Sequence, residues 1–201
     1  MSFISIIENT KNNIQDKVID VSNNIINTIQ VKRYGDSIVL GSRASGKTQF
    51  VNWICNRVIL KDYLPTNNFY ETKNFTDSSG QEEDVKLWEE KIKKKNTIFY
   101  LFDVEKFLKN KKYTSSLKYS YKDIVINQIS LLNEHFNSLV KDKKVIIVGT
   151  FEDKITSKMD VQKVISKIKE EVALGDTKII IGSLIDQEKA QKLEDAIINI
   201  M

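Results

Sequence analysis

Eight residues constrain this chain more than any others: Gly41-Ser42-Arg43-Ala44-Ser45-Gly46-Lys47-Thr48. They read G-x-x-x-x-G-K-[ST] in full. The apolar run 37–40 (SIVL) precedes them, and an amphipathic stretch over 47–60 follows, with Phe50, Val51, Ile54 and Val58 on one side. Strand, glycine-rich loop and helix in that order make a phosphate cradle. Glycine lets the backbone turn tightly and aim its N–H groups inward. The helix N-terminus adds partial positive charge. Lys47 supplies a compact cation for β- and γ-phosphates, and the Thr48 hydroxyl suits Mg²⁺. Gly41, Ser42, Arg43, Ala44, Ser45, Gly46, Lys47 and Thr48 are therefore the expected phosphate-binding residues. The loop alone does not choose between ATP and GTP, because ATPases and small-molecule kinases carry it too.

The rest of the pattern predicts an α/β fold. Continuous apolar runs at 97–104 (TIFYLFDV), 144–150 (KVIIVGT) and 178–183 (KIIIGS) read as strands buried on both faces of a parallel sheet. Helical spacing covers 83–95, 121–140, 160–174 and 187–200. Residues 61–82, which hold the sole proline, Pro65, read as irregular, and 105–120 as a polar connection. Alternating strands and helices imply right-handed βαβ units, with ligands at the carboxyl ends of the strands. Within 3–30, apolar residues at 7, 14, 18, 21, 25 and 29 predict an amphipathic helix ended by Gly35 and Asp36. The expected organisation is an N-terminal helix over 1–34 and a nucleotide-binding domain over 35–201. That helix has three open readings: packing on the domain, pairing with another helix or a second copy through its seven-residue spacing, or lying weakly on a membrane.

Composition closes several other routes. Of the 201 residues, 41% are hydrophobic and 29% charged, which describes a globular chain. One cysteine, Cys55, excludes an intrachain disulfide, and one histidine, His135, leaves no His/Cys zinc cluster. His135 lies in a helical apolar pattern and reads as a packed or surface residue. The net charge of +4 is concentrated in runs at Lys91, Lys93, Lys94, Lys95 and at Lys109, Lys111, Lys112. They read first as solvated faces and second as an anion-meeting patch, with no base-stacking platform for specific nucleic acid. No apolar stretch reaches the ~18 residues of a membrane span. The segment MSFISIIENT lacks a basic leader region, Ser2 excludes N-myristoylation, and INIM offers no cysteine for prenylation. The expected location is cytoplasmic, with at most peripheral membrane contact.

Downstream stands Phe75-Thr76-Asp77-Ser78-Ser79-Gly80-Gln81-Glu82-Glu83. Here the chain resembles the Ras/Arf-type small GTPases, whose third motif is D-x-x-G, often followed by Q-E. The stretch from Gly80 to Trp88 keeps the G-Q-x-x-x-x-x-L-W offset of Arf proteins. Leu64-Pro65-Thr66-Asn67-Asn68-Phe69 looks like the Arf switch I, and IFYLFDV like the family's fourth strand. The resemblance implies a three-layer P-loop G domain with a mostly parallel sheet. It also implies roles. Asp77 would hold Mg²⁺ through water, and Thr66 would complete the metal shell. Gly80 would offer its N–H to the γ-phosphate, and Gln81 would orient the attacking water. Only eleven positions separate Thr66 from Asp77. The hairpin that the family places there must be much shortened or absent, and Thr72 is an alternative to Thr66.

Base choice would fall to the segment after the fifth-strand pattern, Thr150-Phe151-Glu152-Asp153-Lys154, set against the family's N/T-K-x-D. The Asp153 carboxylate could accept from guanine N1–H and its exocyclic amine, a donor pair that adenine lacks. Thr150 stands for the usual asparagine, and Phe151, in place of lysine, could stack on the base. Ser183, in Ile181-Gly182-Ser183-Leu184, would meet the base through its backbone. The catalytic candidates are Gln81, Lys47 and Arg43. Among the three arginines, Arg33, Arg43 and Arg57, Arg57 is expected to face solvent. Arg43, inside the loop, either acts in cis on the transferring phosphoryl group or points outward. The leading expectation is a slow GTPase switch using GTP/GDP and Mg²⁺ and met by effector or GAP/GEF-like proteins. A static pseudo-GTPase assembly module and a P-loop ATPase or kinase remain alternatives.

Overall fold

The computed structural model describes residues 21, 25, 28, 33–61, 70–72, 74–78, 85–110, 119–134, 140–172 and 177–201. Its centre is a sheet of strands β1 (Ser37–Gly41), β2 (Tyr70–Thr72), β3 (Phe75–Asp77), β4 (Thr97–Asp103), β5 (Lys144–Thr150) and β6 (Lys178–Ile181). The spatial order is β2-β3-β1-β4-β5-β6. β2 runs antiparallel to β3 at one edge, and every other pairing is parallel. Described helices are α1 (Lys47–Asn56), α2 (Val85–Lys93), α3 (Val104–Lys109), α4 (Tyr121–Glu134), α5 (Lys158–Glu171) and α6 (Gln187–Ile198).

Every residue of β1 and β4 is buried, as their unbroken apolar runs require in a sheet covered on both sides. Side chains alternate between two cores. Ile38, Leu40, Ile98, Tyr100, Phe102 and Ile147 pack with Trp88 of α2, Phe107 of α3, Val125 and Ile129 of α4, and Ile168 of α5. Val39, Phe99, Leu101, Ile146 and Val148 pack with Phe50 and Ile54 of α1 and with Ala190 and Ile197 of α6. The period of two along each strand thus sorts one sequence into a three-layer structure. Register then aligns the strand ends. Gly41 pairs with Leu101, and Asp103 pairs with Thr150. The loops leaving β1, β4 and β5 consequently open on one rim.

Several boundaries differ from the sequence expectation. The first helix stops at Asn56, because Arg57 adopts a left-handed conformation (φ 57°) and returns its N–H to the Trp53 carbonyl. Val58, expected on the apolar side of that helix, lies beyond it and is exposed. The stretch read as irregular contains β2 and β3. The hairpin is therefore present, in two three-residue strands, where eleven positions had left its existence open. The connection after β4 begins with α3, because the Asp103 carboxylate accepts from the Lys106 N–H and caps it.

At the N-terminus, Val21, Ile25, Thr28, Arg33 and Tyr34 have helical backbone, and Gly35 follows at φ +59°. Val21 and Ile25 are exposed, whereas Tyr34 is buried. The remainder of 3–30 lies outside the described residues, as does His135. Among the described residues no helix is long and apolar enough to cross a membrane. Part of each lysine run is neutralised on the surface, by Lys93 with Glu89, Lys91 with Glu71, and Lys109 with Glu105.

Candidate functional site

The loop from β1 to α1 turns at three left-handed positions: Gly41 (φ +135°), Ala44 (φ +57°) and Gly46 (φ +82°). At Gly41 glycine is obligatory for a second reason. A Cβ there would stand 1.9 Å from the Leu101 carbonyl oxygen, so the loop leaves β1 pressed against the β4 backbone. Gly46 precedes α1 and brings no side chain to cap it, and the first turn of α1 holds no acidic residue. A helix start of that kind suits an external anion. Lys47, 5% exposed, folds its ammonium back onto the carbonyls of Gly41 (3.1 Å) and Ser42 (2.8 Å).

Beside the loop, the Thr48 hydroxyl donates to the Asp77 carboxylate at 2.7 Å. Asp77 ends β3 and is buried. Two hard oxygen donors from elements 29 residues apart thus meet at the helix start. Such a donor set suits Mg²⁺, which takes one or two protein oxygens and leaves the rest of its shell to water and phosphate. The buried hydroxyls of Ser45 and Ser78 have no hydrogen-bond partner among the described residues. Burial without a partner costs a hydroxyl about 1–3 kcal/mol, a cost that an oxygen-rich ligand nearby would relieve.

The opposite wall comes from the β5 and β6 loops. The Thr150 hydroxyl lies 2.8 Å from the Ser45 carbonyl and 3.0 Å from that of Phe102, so it ties the β5 end to the loop between β1 and α1. Phe151 is held at φ +62°, which is rare for a bulky side chain, and the Lys154 ammonium sits 4.4 Å from its ring centroid. A short 3₁₀ turn over Glu152–Lys154 follows. It carries Asp153, whose carboxylate accepts from the Ser183 hydroxyl. The Ile185 N–H in turn donates to that hydroxyl at 3.2 Å. Ser183 thus fixes Asp153 through its side chain, a role different from the backbone contact expected of it. On the rim, Glu105 lies within 3.6 Å of the Lys154 ammonium. Its hydrogen bond to Lys109, aided by Lys154, holds its carboxyl below the usual range.

These walls enclose a cleft of about 680 Å³ at the carboxyl ends of β1, β4 and β5, within the usual span for small-molecule sites. Residues Ala44 to Gln49 line one side, and Thr150, Phe151, Asp153 and Lys154 the other. Ile59, Leu60, Leu184 and Ile185 give it an apolar flank. Neither a family model nor a curated protein matches this chain.

The cleft gathers Ala44, Ser45, Gly46, Lys47, Thr48, Thr150 and Asp153, with Asp77 and Ser183 hydrogen-bonded to its lining. Arg43 is exposed and is not among the lining residues. Thr66, Gly80 and Gln81 lie outside the described residues, as does the side chain of Thr72. Arg57 corrects its expectation. It does not simply face solvent but forks onto the buried carboxylate of Glu194 beside Trp53. Sequence reasoning also passed over Asp103 and Lys106, which line the cleft with their charges 3.3 Å apart. The signal for Asp103 was available, since it ends a central apolar strand, where ligands gather.

Proposed function

We propose that this chain is a Ras/Arf-like G domain that binds a guanine nucleotide with Mg²⁺ and hydrolyses GTP slowly as a switch. The observation that carries the reading is the 2.7 Å contact of Thr48 with Asp77 at the start of α1. It joins the residue after the loop lysine to the aspartate of D-x-x-G, as a metal-assisted phosphate site requires.

In this reading the amides of residues 41–48 and the Lys47 ammonium hold the β- and γ-phosphates. Lys47 leaves two carbonyls to do so, a short movement for a flexible side chain. Bound Mg²⁺ would neutralise charge developing on the phosphate oxygens. Asp153, already oriented by Ser183, accepts from guanine N1–H and its amine, while the Phe151 ring covers the base. Adenine lacks that donor pair, and covering the carboxylate without those two bonds costs about 1–3 kcal/mol, or roughly 5- to 150-fold in affinity. Gln81 positions the attacking water, and Thr66 and Gly80 respond to the γ-phosphate. Loss of that phosphate releases their segments, which changes the surface that an effector or regulator protein meets. No arginine is among the residues lining the described cleft, which supports slow intrinsic turnover.

The test is to purify the chain natively, release its nucleotide by heat and resolve it by ion exchange. GDP or GTP is expected. Adenine nucleotide, or no affinity for any purine nucleotide in millimolar Mg²⁺, defeats the proposal.

A further inference from the structure

We infer that Tyr121 is a positioning residue for the phosphate-binding loop, acting through Ser42 on the seat of the Lys47 ammonium. The inference rests on the nucleotide reading above and assigns to that site a residue far from every motif. Tyr121 opens α4 and is buried, with its phenol oxygen 2.5 Å from the Ser42 hydroxyl. The same oxygen accepts the backbone N–H of Asp103 at 2.7 Å. Between the phenol and the Ser42 hydroxyl either group can donate, and both directions tie residue 42 to the same oxygen. Ser42, itself buried, offers its carbonyl to Lys47 at 2.8 Å. A continuous chain thus runs from the end of β4 through one phenol to the loop cation.

The phenol is fixed at its own end as well. Ser120 and Asp123 form a reciprocal cap at the start of α4, in which the Ser120 hydroxyl donates to Asp123 at 2.7 Å and the Asp123 N–H returns to Ser120 at 3.2 Å. The Lys106 ammonium stands 5.7 Å from the Tyr121 ring centroid. The ring packs in the core with Val125 and Ile129, a task phenylalanine would perform equally well. What distinguishes tyrosine here is the hydroxyl, and its partners are the loop and the strand end beside the cleft. Any displacement of the α4 start is therefore transmitted to residue 42.

The decisive comparison uses the full chain as Tyr121→Phe, Ser42→Ala and the double substitution. Each single change should speed release of a fluorescent GDP analogue about three- to tenfold, the effect of one net hydrogen bond. The double variant should release no faster than the faster single, because both changes cut the same link. Wild-type release by Tyr121→Phe, or multiplied effects in the double variant, overturns the assignment. In nucleotide-free protein, Tyr121→Phe should also raise amide hydrogen exchange over residues 41–48, and unchanged exchange overturns it independently. A wild-type chain that binds no GDP analogue defeats the guanine reading, while the exchange measurement still decides the role of Tyr121.

Discussion

Replacing Glu194 by alanine tests whether the domain is held together by one buried carboxylate. Glu194 lies on α6 and is 1% exposed. Its oxygens accept from Tyr34 Oη (3.0 Å), Trp53 Nε1 (3.1 Å), Arg57 Nη2 (2.9 Å) and Arg57 Nη1. The donors come from the end of the N-terminal segment and from the last turn and cap of α1. Burial, then the charge of Glu194, pushes the Tyr34 hydroxyl above its ordinary range, so it stays a neutral donor. The hydrogen bond to Glu194 raises Arg57 further and keeps it charged.

Alanine leaves these donors unequal. Arg57 is one-third exposed and can turn to water, whereas the Tyr34 and Trp53 donors are buried and cannot. Each stranded neutral donor costs about 1–3 kcal/mol. Loss of one partner from a buried ion pair costs about 3–5 kcal/mol, which agrees with two such donors. At about 2–4 °C per kcal/mol for a chain of this size, the melting temperature should fall by roughly 6–20 °C. Urea titration followed by circular dichroism measures the free energy, and a thermal scan the temperature. Glu194→Gln keeps a carbonyl acceptor and should lose less. A loss under about 1 kcal/mol for Glu194→Ala would refute the reasoning, since it would mean that water reaches the donors.

Four further outcomes follow from the same geometry. Gly41→Ala should abolish phosphate binding and lower stability, because its Cβ meets backbone atoms of Leu101 at 1.9–2.9 Å that no side-chain rotation relieves; nucleotide titration and melting of the purified variant check this. Asp153→Ala should cut the preference for GDP over ADP by roughly 5- to 150-fold, read as competing displacement of a fluorescent GDP analogue, with affinity for inorganic diphosphate unchanged. Hydrogen bonds from the Ser120 hydroxyl and N–H hold the Asp123 carboxyl below its ordinary range. As pH falls the unfolded chain takes up that proton first, so the cap's stabilisation is complete above the ordinary carboxylate value and fades through the lowered one. Melts of Asp123→Ala and wild type should therefore differ at pH 7 and converge in acid. Arg43→Ala should leave single-turnover GTP hydrolysis unchanged, since the side chain is exposed outside the cleft lining; a large drop would restore a cis role for it.

What the sequence disclosed about the site was whatever adjacent residues decide. Residues 41–48 are readable because a tight loop between strand and helix needs glycine at fixed spacing, and the register of β1 on β4 shows why Gly41 cannot vary. The loop motif singled out Thr48, and the family resemblance Asp77 and Asp153; the fold brings Thr48 against Asp77 and places Asp153 in the cleft wall. The sheet's two faces followed from period-two alternation within single strands. The short β2 and β3 were missed because three-residue strands carry too few positions for a period to register. Their pairing depends on the β1 edge that β3 joins. The end of α1 was misplaced because helical spacing in 47–60 continues past Arg57, whose left-handed turn ends the helix while its side chain meets a partner 137 residues away.

That last case shows why the supports of the site were harder to see than the site itself. The candidate ligand-contacting residues sit at strand ends, where the loop chemistry is local. The groups that steady it are separated along the chain by 79 residues for Ser42 and Tyr121, 105 for Ser45 and Thr150, and 137 for Arg57 and Glu194. No spacing rule links such pairs, since loop closure over these lengths leaves partner choice to tertiary packing. Yet each was available as a question about burial. A tyrosine and a glutamate that the fold encloses must each find a partner or pay a desolvation penalty of kcal/mol size. Once the sheet order is known, few partners are within reach. Glu194 stands in a helical run between Leu193 and Ile197, both of them core residues, so its position already placed a carboxylate inside. The chain holds three arginines, and the one at the end of α1 is the cation that meets it.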